Sequence, residues 1–453
     1  MLSHIKTSSP YRHLTILIIL LGILISAASS AAEKPMKIDH DNAAFTLTEC
    51  VRISLKNNPV MRIGKENVFS AGEEIGEMKA PYYPEVSLQS GFKRWQTHAF
   101  LPSGLSRPDI PTVIGPTDDW SAGLQARLLL FDSGLRKARL ERSKAKFGEA
   151  QEDNQRLRQE LILSVHKSFF ALEAAYQADS VSRRSLERAN EHLRLAKIRH
   201  DAGAVPQADV IKAKVQVAQA ELSLVRAKNM VRIAQGGLNT AMGLPVGRST
   251  RVRPESAKLI FEPQVDLALM LKQAEHQRPV VKAAVQRIIA AEQNVNAAES
   301  KWGPVIRAEG GYGWRDDELA PHDEAWSAGI VLELPIFTGF ARTHGVAKNR
   351  AELRKAEADR DRIINQVREE VWASISNSRE AKEAVQAARV LVVEANEDLR
   401  TSRERYSVGA GTITDLIDSE TSLAKAEGNA VEAKWNLHTA DSQLKYSLGK
   451  LTQ

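Results

Sequence analysis

The stretch Arg199–Glu221, RHDAGAVPQADVIKAKVQVAQAE, recurs as Arg405–Glu427, RYSVGAGTITDLIDSETSLAKAE, and this duplication constrains the chain more than any other feature. Arg405, Gly409, Asp415 and Glu427 each stand 206 residues after Arg199, Gly203, Asp209 and Glu221. A constant offset implies one body built twice. Past the glycines, both copies read as helices whose apolar positions share a phase. The first runs through Val217, Ala220, Leu224, Ala227, Val231, Ala234 and Leu238, the second through Leu423, Ala426, Ala430, Ala433, Leu437, Ala440 and Leu444. Steps alternating between three and four make a heptad seam. Alanine at many seam sites lets helices approach closely over a long length, as a wall of side-by-side coiled coils requires. An ordinary amphipathic core helix explains one such seam but not two in phase.

The composition fits long helices: 26% of residues are charged and only 6% aromatic. Lysines and arginines alternate with glutamates, which reads as a solvated face, and a net charge of +6 is too small to argue for nucleic acid. Lys6 and Arg12, the apolar run Leu14–Ile25 and the small residues Ser26–Ala32 read as a signal peptide over residues 1–32, cleaved after Ala28 or Ala32. A signal anchor is the rival, although the run is shorter than the ~20 residues a spanning helix needs. No cysteine stands there to be acylated, so the mature chain is expected not to be N-terminally lipidated. The single cysteine, Cys50, can make no internal disulfide and reads as a small buried hydrophobe.

The first repeat is expected over residues 33–243, a linker over 244–264 and the second repeat over 265–453. Each repeat opens with a short helix that breaks before a proline, Pro59 or Pro279, and resumes to about Ala80 or Ser300. Both then stop at proline-bearing junctions, Pro81–Pro84 and Lys301–Pro304, here offset by 220 residues. Beyond each junction the pattern alternates. Val86, Leu88 and Phe92 oppose Ser87, Gln89 and Lys93; Ile306, Ala308 and Tyr312 oppose Arg307 and Glu309. A loop, long in the first repeat (Arg94–Asp119) and short in the second (Arg315–Ala325), absorbs the change of offset back to 206. WSAGLQARLLLF from Trp120 then matches WSAGIVLELPIF from Trp326.

Strands are therefore expected at about 86–94, 120–130, 305–314 and 326–335, apolar outside and polar inside, with Trp95, Trp120, Trp314 and Trp326 as membrane-interface aromatics. Dyad alternation bordered by aromatics marks an outer-membrane β-barrel, although two hairpins could also form a small soluble sheet. Four strands cannot close a barrel in lipid, where an open edge leaves backbone groups unpaired. The chain must then oligomerise through its sheet, as a trimer with about twelve strands or a dimer with about eight. Long helices are expected at about 135–200, 207–243, 339–406 and 412–448.

Two repeats of strand, strand, long helix, glycine turn and returning helix resemble the TolC family of outer-membrane ducts. The most specific piece is Arg405-Tyr-Ser-Val-Gly409 followed by Asp415-Leu-Ile-Asp418, similar to the family's periplasmic tip. The resemblance implies a mostly α protomer with a small β-part. Three protomers would make a homotrimeric 12-stranded barrel in the outer membrane of a Gram-negative bacterium, continued by a 12-helix periplasmic α-barrel. It further implies a membrane-fusion adaptor, an inner-membrane pump and a role in efflux or type I secretion. Asp415, Asp418 and Tyr406 would form the periplasmic gate. Ala202, Gly203, Ala204, Val408, Gly409 and Ala410 would be the tips that meet the adaptor.

Carboxylates converging on an axis make a negative constriction that attracts cations. An aspartate just past a glycine turn also caps the returning helix. Asp209 holds the place of Asp415 in the other repeat, so both readings stay open there; Asp418, whose counterpart is Lys212, points to the gate. A member of the family has a basic residue where this chain has Gly411, so the closed tip needs another lock, with Tyr406 reaching a partner near Asp201 as the expectation. No catalytic constellation emerges: Ser164-Val-His-Lys167 lies inside a helix without companion motifs, and Gly310–Gly313 lies in a strand. No histidines pair at metal spacing with an acidic residue, and neither metal nor cofactor is expected. The other functional class is a soluble coiled-coil scaffold.

Overall fold

The computed structural model describes residues 44–98, 113–254 and 266–452. The expected leader, its cleavage points at Ala28 and Ala32 and the question of lipidation lie outside the described residues. In order, the elements are β1 (Ala44–Phe45), α1 (Leu47–Asn57), α2 (Pro59–Lys79), β2 (Glu85–His98), β3 (Val113–Phe131), α3 (Leu135–Asp201), α4 (Gln207–Ala241) and β4 (Arg251–Val252). The second repeat has α5 (Leu267–Gln277), α6 (Pro279–Ser300), β5 (Val305–Asp316), β6 (Glu324–Glu333), α7 (Ala341–Val408) and α8 (Ile413–Ser447).

Length explains the layout. The 67 residues of α3 and 68 of α7 span about 100 Å each at 1.5 Å per residue. The 35 residues of α4 and of α8 cover only about half of that. Each returning helix flanks the far half of its long partner, while α2 and α6 flank the near half. Every seam position named above is buried or half-buried.

At mid-length the short elements wrap the long helices. Cys50, Val51 and Ile53 of α1 join Ile162, Val165, Phe169 and Leu172 of α3 and Leu238 and Met242 at the end of α4. The second repeat copies this with Met270, Ala274, Val367, Val371, Ile375, Leu444 and Leu448. Each fully buried Leu, Val or Phe there contributes about 1.5–3 kcal/mol. The last carbonyls of each returning helix, orphaned by the helix end, are met by the break before the proline. Asn58 Nδ2 donates to Ala241 O at 2.9 Å, and Arg278 Nη1 to Tyr446 O at 3.3 Å. Gly243 and Gly449, both with positive φ, turn the chain against Asn57–Asn58 and Gln277, leaving little room for a Cβ.

The sheet is ordered β2-β3-β5-β6, antiparallel throughout, so the two hairpins join through β3 and β5. One row crosses all four strands: Leu88 faces Leu124, Leu124 faces Tyr312, and Tyr312 faces Trp326. Val86, Phe92, Trp120, Ile306, Trp314 and Ile330 share that apolar face by alternation. The other face carries Gln89, Lys93, Gln125, Arg307 and Glu333, with Arg307 bonded to Glu333 at 2.7 Å and Arg315 to Asp119 at 2.7 Å. The strands differ from expectation at their ends. Residues 113–119, read as loop, pair with β2 down to His98. β6 ends at Glu333, two residues before Pro335, which has no N–H for a ladder.

Trp95 is the exception among the expected interface aromatics. It opposes Thr117 before the bulge at Trp95–Thr97, so alternation places it on the Lys93 face rather than with Trp120, Trp314 and Trp326.

Candidate functional site

At the far end of the long helices, two glycine turns sit over one small core. Gly203 and Gly409 take φ of 70° and 84°, and the next residue closes each turn backwards: Ala204 N donates to Arg199 O and Ala410 N to Arg405 O, both at 2.8 Å. A left-handed residue with this six-to-one bond ends a helix abruptly, which is why glycine stands there. Ala202, Gly203, Ala204, Val408, Gly409 and Ala410 are all exposed at the tip, Val408 at 78%.

Beneath them, Ala196, Val210 and Ala213 of the first hairpin pack with Ala395, Leu399, Tyr406, Ile413, Leu416 and Leu423 of the second. Tyr406 is 1% exposed. Arg199 lies over its ring, 4.8 Å from the centroid, a cation–π arrangement. Burial raises the Tyr406 pKa, the facing Asp209 carboxylate raises it further, and Arg199 opposes both. Tyr406 therefore meets Arg199, two residues before Asp201, and Asp209 across the hairpins.

Asp415 completes a capping box: its N–H donates to Thr412 Oγ1 at 3.2 Å, and its Oδ2 accepts from Thr412 N at 3.0 Å. Those Thr412 donors hold its carboxyl below the usual range. The first hairpin has no such cap, because Pro206 occupies the N-cap without a side-chain bond, and Asp209 is left to face Tyr406. Asp418 is exposed and makes no ion pair or hydrogen bond among the described residues. Its counterpart Lys212 donates instead to Thr414 Oγ1 at 3.0 Å. Gly411 stands close to Arg405 and the Tyr406 backbone.

Two further sets of residues were not singled out in the sequence. Between α3 and α8, Glu420 is 0% exposed and accepts from Arg188 Nε at 3.0 Å and Ser185 Oγ at 3.1 Å, with His192 Nε2 3.5 Å away. Glu427 ties Arg188 and Arg184 at 3.0 and 3.2 Å. Burial disfavours the charge of Arg188, and the two carboxylates outweigh it, raising its pKa. Nothing in a lone helical glutamate signals this, since partners so distant in sequence meet only when the hairpins pack.

The second set sits where strand becomes helix. Arg136 Nη1 donates to Leu129 O at 2.6 Å and Pro81 O at 3.1 Å, with its guanidinium over Tyr82. Arg342 does the same with Ile336 O at 3.1 Å and Lys301 O at 3.5 Å, over Trp302. Arg136 and Arg342 stand 206 residues apart, so the repeat itself carried the signal. Each elbow takes two successive left-handed residues, Ser133-Gly134 and Gly339-Phe340, so each spends one strained non-glycine position.

A mostly helical body of duplicated coiled-coil hairpins carrying a four-stranded sheet with one apolar face is the architecture of the helical outer-membrane channels. The outer membrane protein VceC from Vibrio cholerae superimposes with a TM-score of 0.75 at 18% identity, covering 89% of this chain and 96% of that one. The MtrE channel of Neisseria gonorrhoeae gives 0.71 at 20% identity, covering 89% and 88%. The family model described as outer membrane efflux protein matches residues 51–244 and 270–450, and the chain belongs to that family. Among its relatives, Protein CyaE of Bordetella pertussis is 25% identical over 415 residues, 90% of this chain and 84% of the relative. Outer membrane protein TolC of Escherichia coli K12 is 22% identical over 452 residues, 96% and 86% respectively. The role is that of an efflux or secretion channel, and the family and its structural neighbours are channel proteins rather than enzymes.

Proposed function

We propose that this chain is one third of a homotrimeric duct in the outer membrane of a Gram-negative bacterium, passive in itself and coupled to a periplasmic adaptor and an inner-membrane pump. One observation carries the reading: the sheet has an apolar face suited to lipid, an opposite polar face, and outer edges on β2 and β6 that no strand of the described residues pairs. In lipid such edges need partners, and identical copies related by a rotation that closes supply them. Twelve strands and a ring of helices around a water-filled axis follow from three copies. Trp120, Trp314 and Trp326 then lie at the membrane interface. The helical wall has matching edges: α4 and α7 are outermost in the tip half and expose Ile211, Val215, Leu222 and Val225 on one side and Val390, Leu391 and Val393 on the other.

The tip works as the gate. Tyr406, held by Arg199 and Asp209, pins the second hairpin to the first, and three copies of Asp418 present unpaired carboxylates around the mouth. The exposed turns at Ala202–Ala204 and Val408–Ala410 are the docking points for adaptor hairpins. The leader over residues 1–32 directs export, and the mature chain is not N-terminally lipidated. Membrane fractionation tests the reading: the chain should sediment with the outer membrane as a detergent-stable trimer and conduct in planar bilayers. A monomer recovered in the soluble periplasm would overturn it in favour of a coiled-coil scaffold.

A further inference from the structure

Within the chain, the elbow after β3 meets the junction before β5. Ser133 Oγ donates to Pro304 O at 2.8 Å, and Gly303 is there because a Cβ would run into Ser133. The repeat defines what the other elbow must meet. Ser133 corresponds to Gly339 by the 206 offset, and Gly303 corresponds to Tyr83 by the 220 offset. The elbow at Gly339 follows β6 and the junction at Tyr83 precedes β2, the two edges of the sheet. Inside one chain these cannot touch in the way Ser133 and Gly303 do.

The sizes are exchanged. Inside the chain a side chain on the elbow, Ser133, faces a bare junction, Gly303. At the edges the elbow is bare, with open space over Gly339, and the junction carries Tyr83, 69% exposed. Phe337 and Phe340, also exposed, stand edge to face 5.7 Å apart around that bare elbow. An apolar ring left in water at one edge, and a bare elbow with two exposed aromatic rings at the other, call for a partner that supplies the other half of each. We propose that Tyr83 of one copy fills the space over Gly339 of the next, against Phe337 and Phe340. The occupant is a second copy of this chain, and the contact seals the ring at the level where barrel becomes tunnel. Carrying the observed pairing of Leu124 with Tyr312 across by the same offsets sets Ile330 opposite Phe92 of the next copy, apolar face to apolar face. This inference rests on ring assembly and specifies where the copies touch.

Cysteine cross-linking in isolated membranes tests it. The left-handed conformation at Gly339 is one that Ser133, its equivalent, already adopts with a side chain, so Gly339→Cys is tolerable. The double variant Tyr83→Cys/Gly339→Cys should convert under mild oxidation into reductant-sensitive dimers and trimers, while each single variant stays monomeric on a denaturing gel. Co-expressing the two single variants should give only the dimer. An intact oligomer on a native gel with no cross-link would overturn the contact and leave ring assembly standing; a protein monomeric throughout would overturn both. Should Gly339→Cys fail to accumulate, Tyr83→Ser should dissociate the oligomer at a lower temperature and Tyr83→Phe should not. Equal melting of those two variants and the parent would equally dismiss the contact.

Discussion

Arg199 lies over the ring of Tyr406, 4.8 Å from its centroid, and the two residues belong to different repeats of the chain. Both lie in the last turn of their hairpin's outgoing helix, Arg199 closing its glycine turn and Tyr406 following Arg405, which closes the other, so this contact joins the first hairpin to the second at the tip. The cation over Tyr406 comes from the outgoing helix of the other repeat, while Gly411 stands in the turn itself.

Replacing Tyr406 should loosen the tip in a graded way. Tyr406→Phe keeps the ring under Arg199 and removes a buried hydroxyl that faces Asp209 without a hydrogen-bond partner of its own, the smaller of the two changes. Tyr406→Ala removes the ring from a buried site at about 3–5 kcal/mol. Bilayer conductance should rise in the order parent, Phe, Ala; a mean conductance equal in all three would remove Tyr406 from the gate.

Burial raises the pKa of the Tyr406 phenol where it is packed under Arg199, and on the proposed role of the tip this packed arrangement is the closed one. A group whose folded pKa exceeds its open-state value contributes stability below the open-state pKa, here about 10, and loses it as pH rises through the folded value. Conductance should therefore increase above about pH 10 in the parent and not in Tyr406→Phe. His438 has the opposite sense. Burial beside stacked Phe170 lowers its pKa, so acidification below about 6.5 favours the separated state and should weaken the α3–α8 contact, which hydrogen exchange of the amides near His438 would report.

Asp415 and Asp418 should separate in their effects. Thr412→Ala breaks the capping box and should destabilise the start of α8 by about 0.5–2 kcal/mol. Asp418→Asn should leave stability unchanged and weaken cation selectivity and block by multivalent cations. Unaltered selectivity in Asp418→Asn would take the carboxylate out of the mouth.

Glu420→Ala removes the fully buried partner of the half-buried Arg188, which Glu427 still holds at 3.0 Å, and should cost about 1.5–3 kcal/mol, the worth of a charge-assisted hydrogen bond. Replacing both, Arg188→Met with Glu420→Leu, should recover most of that in denaturant titrations, with Glu427 still held by Arg184 at 3.2 Å. A double variant no better than the single would mean that the pair itself, rather than its compensation, stabilises the seam.

At the elbows, Arg136 is reinforced by Asp132, which accepts from Arg136 N at 2.7 Å, while Arg342 has Thr338 in that place. Arg136→Ala should reduce the yield of detergent-stable oligomer more than Arg342→Ala, since it releases three carbonyls, those of Pro81, Leu129 and Leu130, and also leaves the buried Asp132 carboxylate without its charge partner.

The chain's order of letters determined everything that is periodic or repeated. The 206 and 220 offsets, the heptad seams of Val217–Leu238 and Leu423–Leu444, the two glycine turns and the alternation of Val86, Leu88 and Phe92 are local patterns, and backbone geometry converts each directly into helix, turn or strand. Tertiary structure decided which distant groups meet. It set Arg188 against Glu420, turned Asp209 towards Tyr406 while Asp415 capped its own helix, and extended β3 back to Val113. Such pairings depend on how two rigid hairpins lie against each other, and no short-range pattern encodes the distance between residues two hundred positions apart.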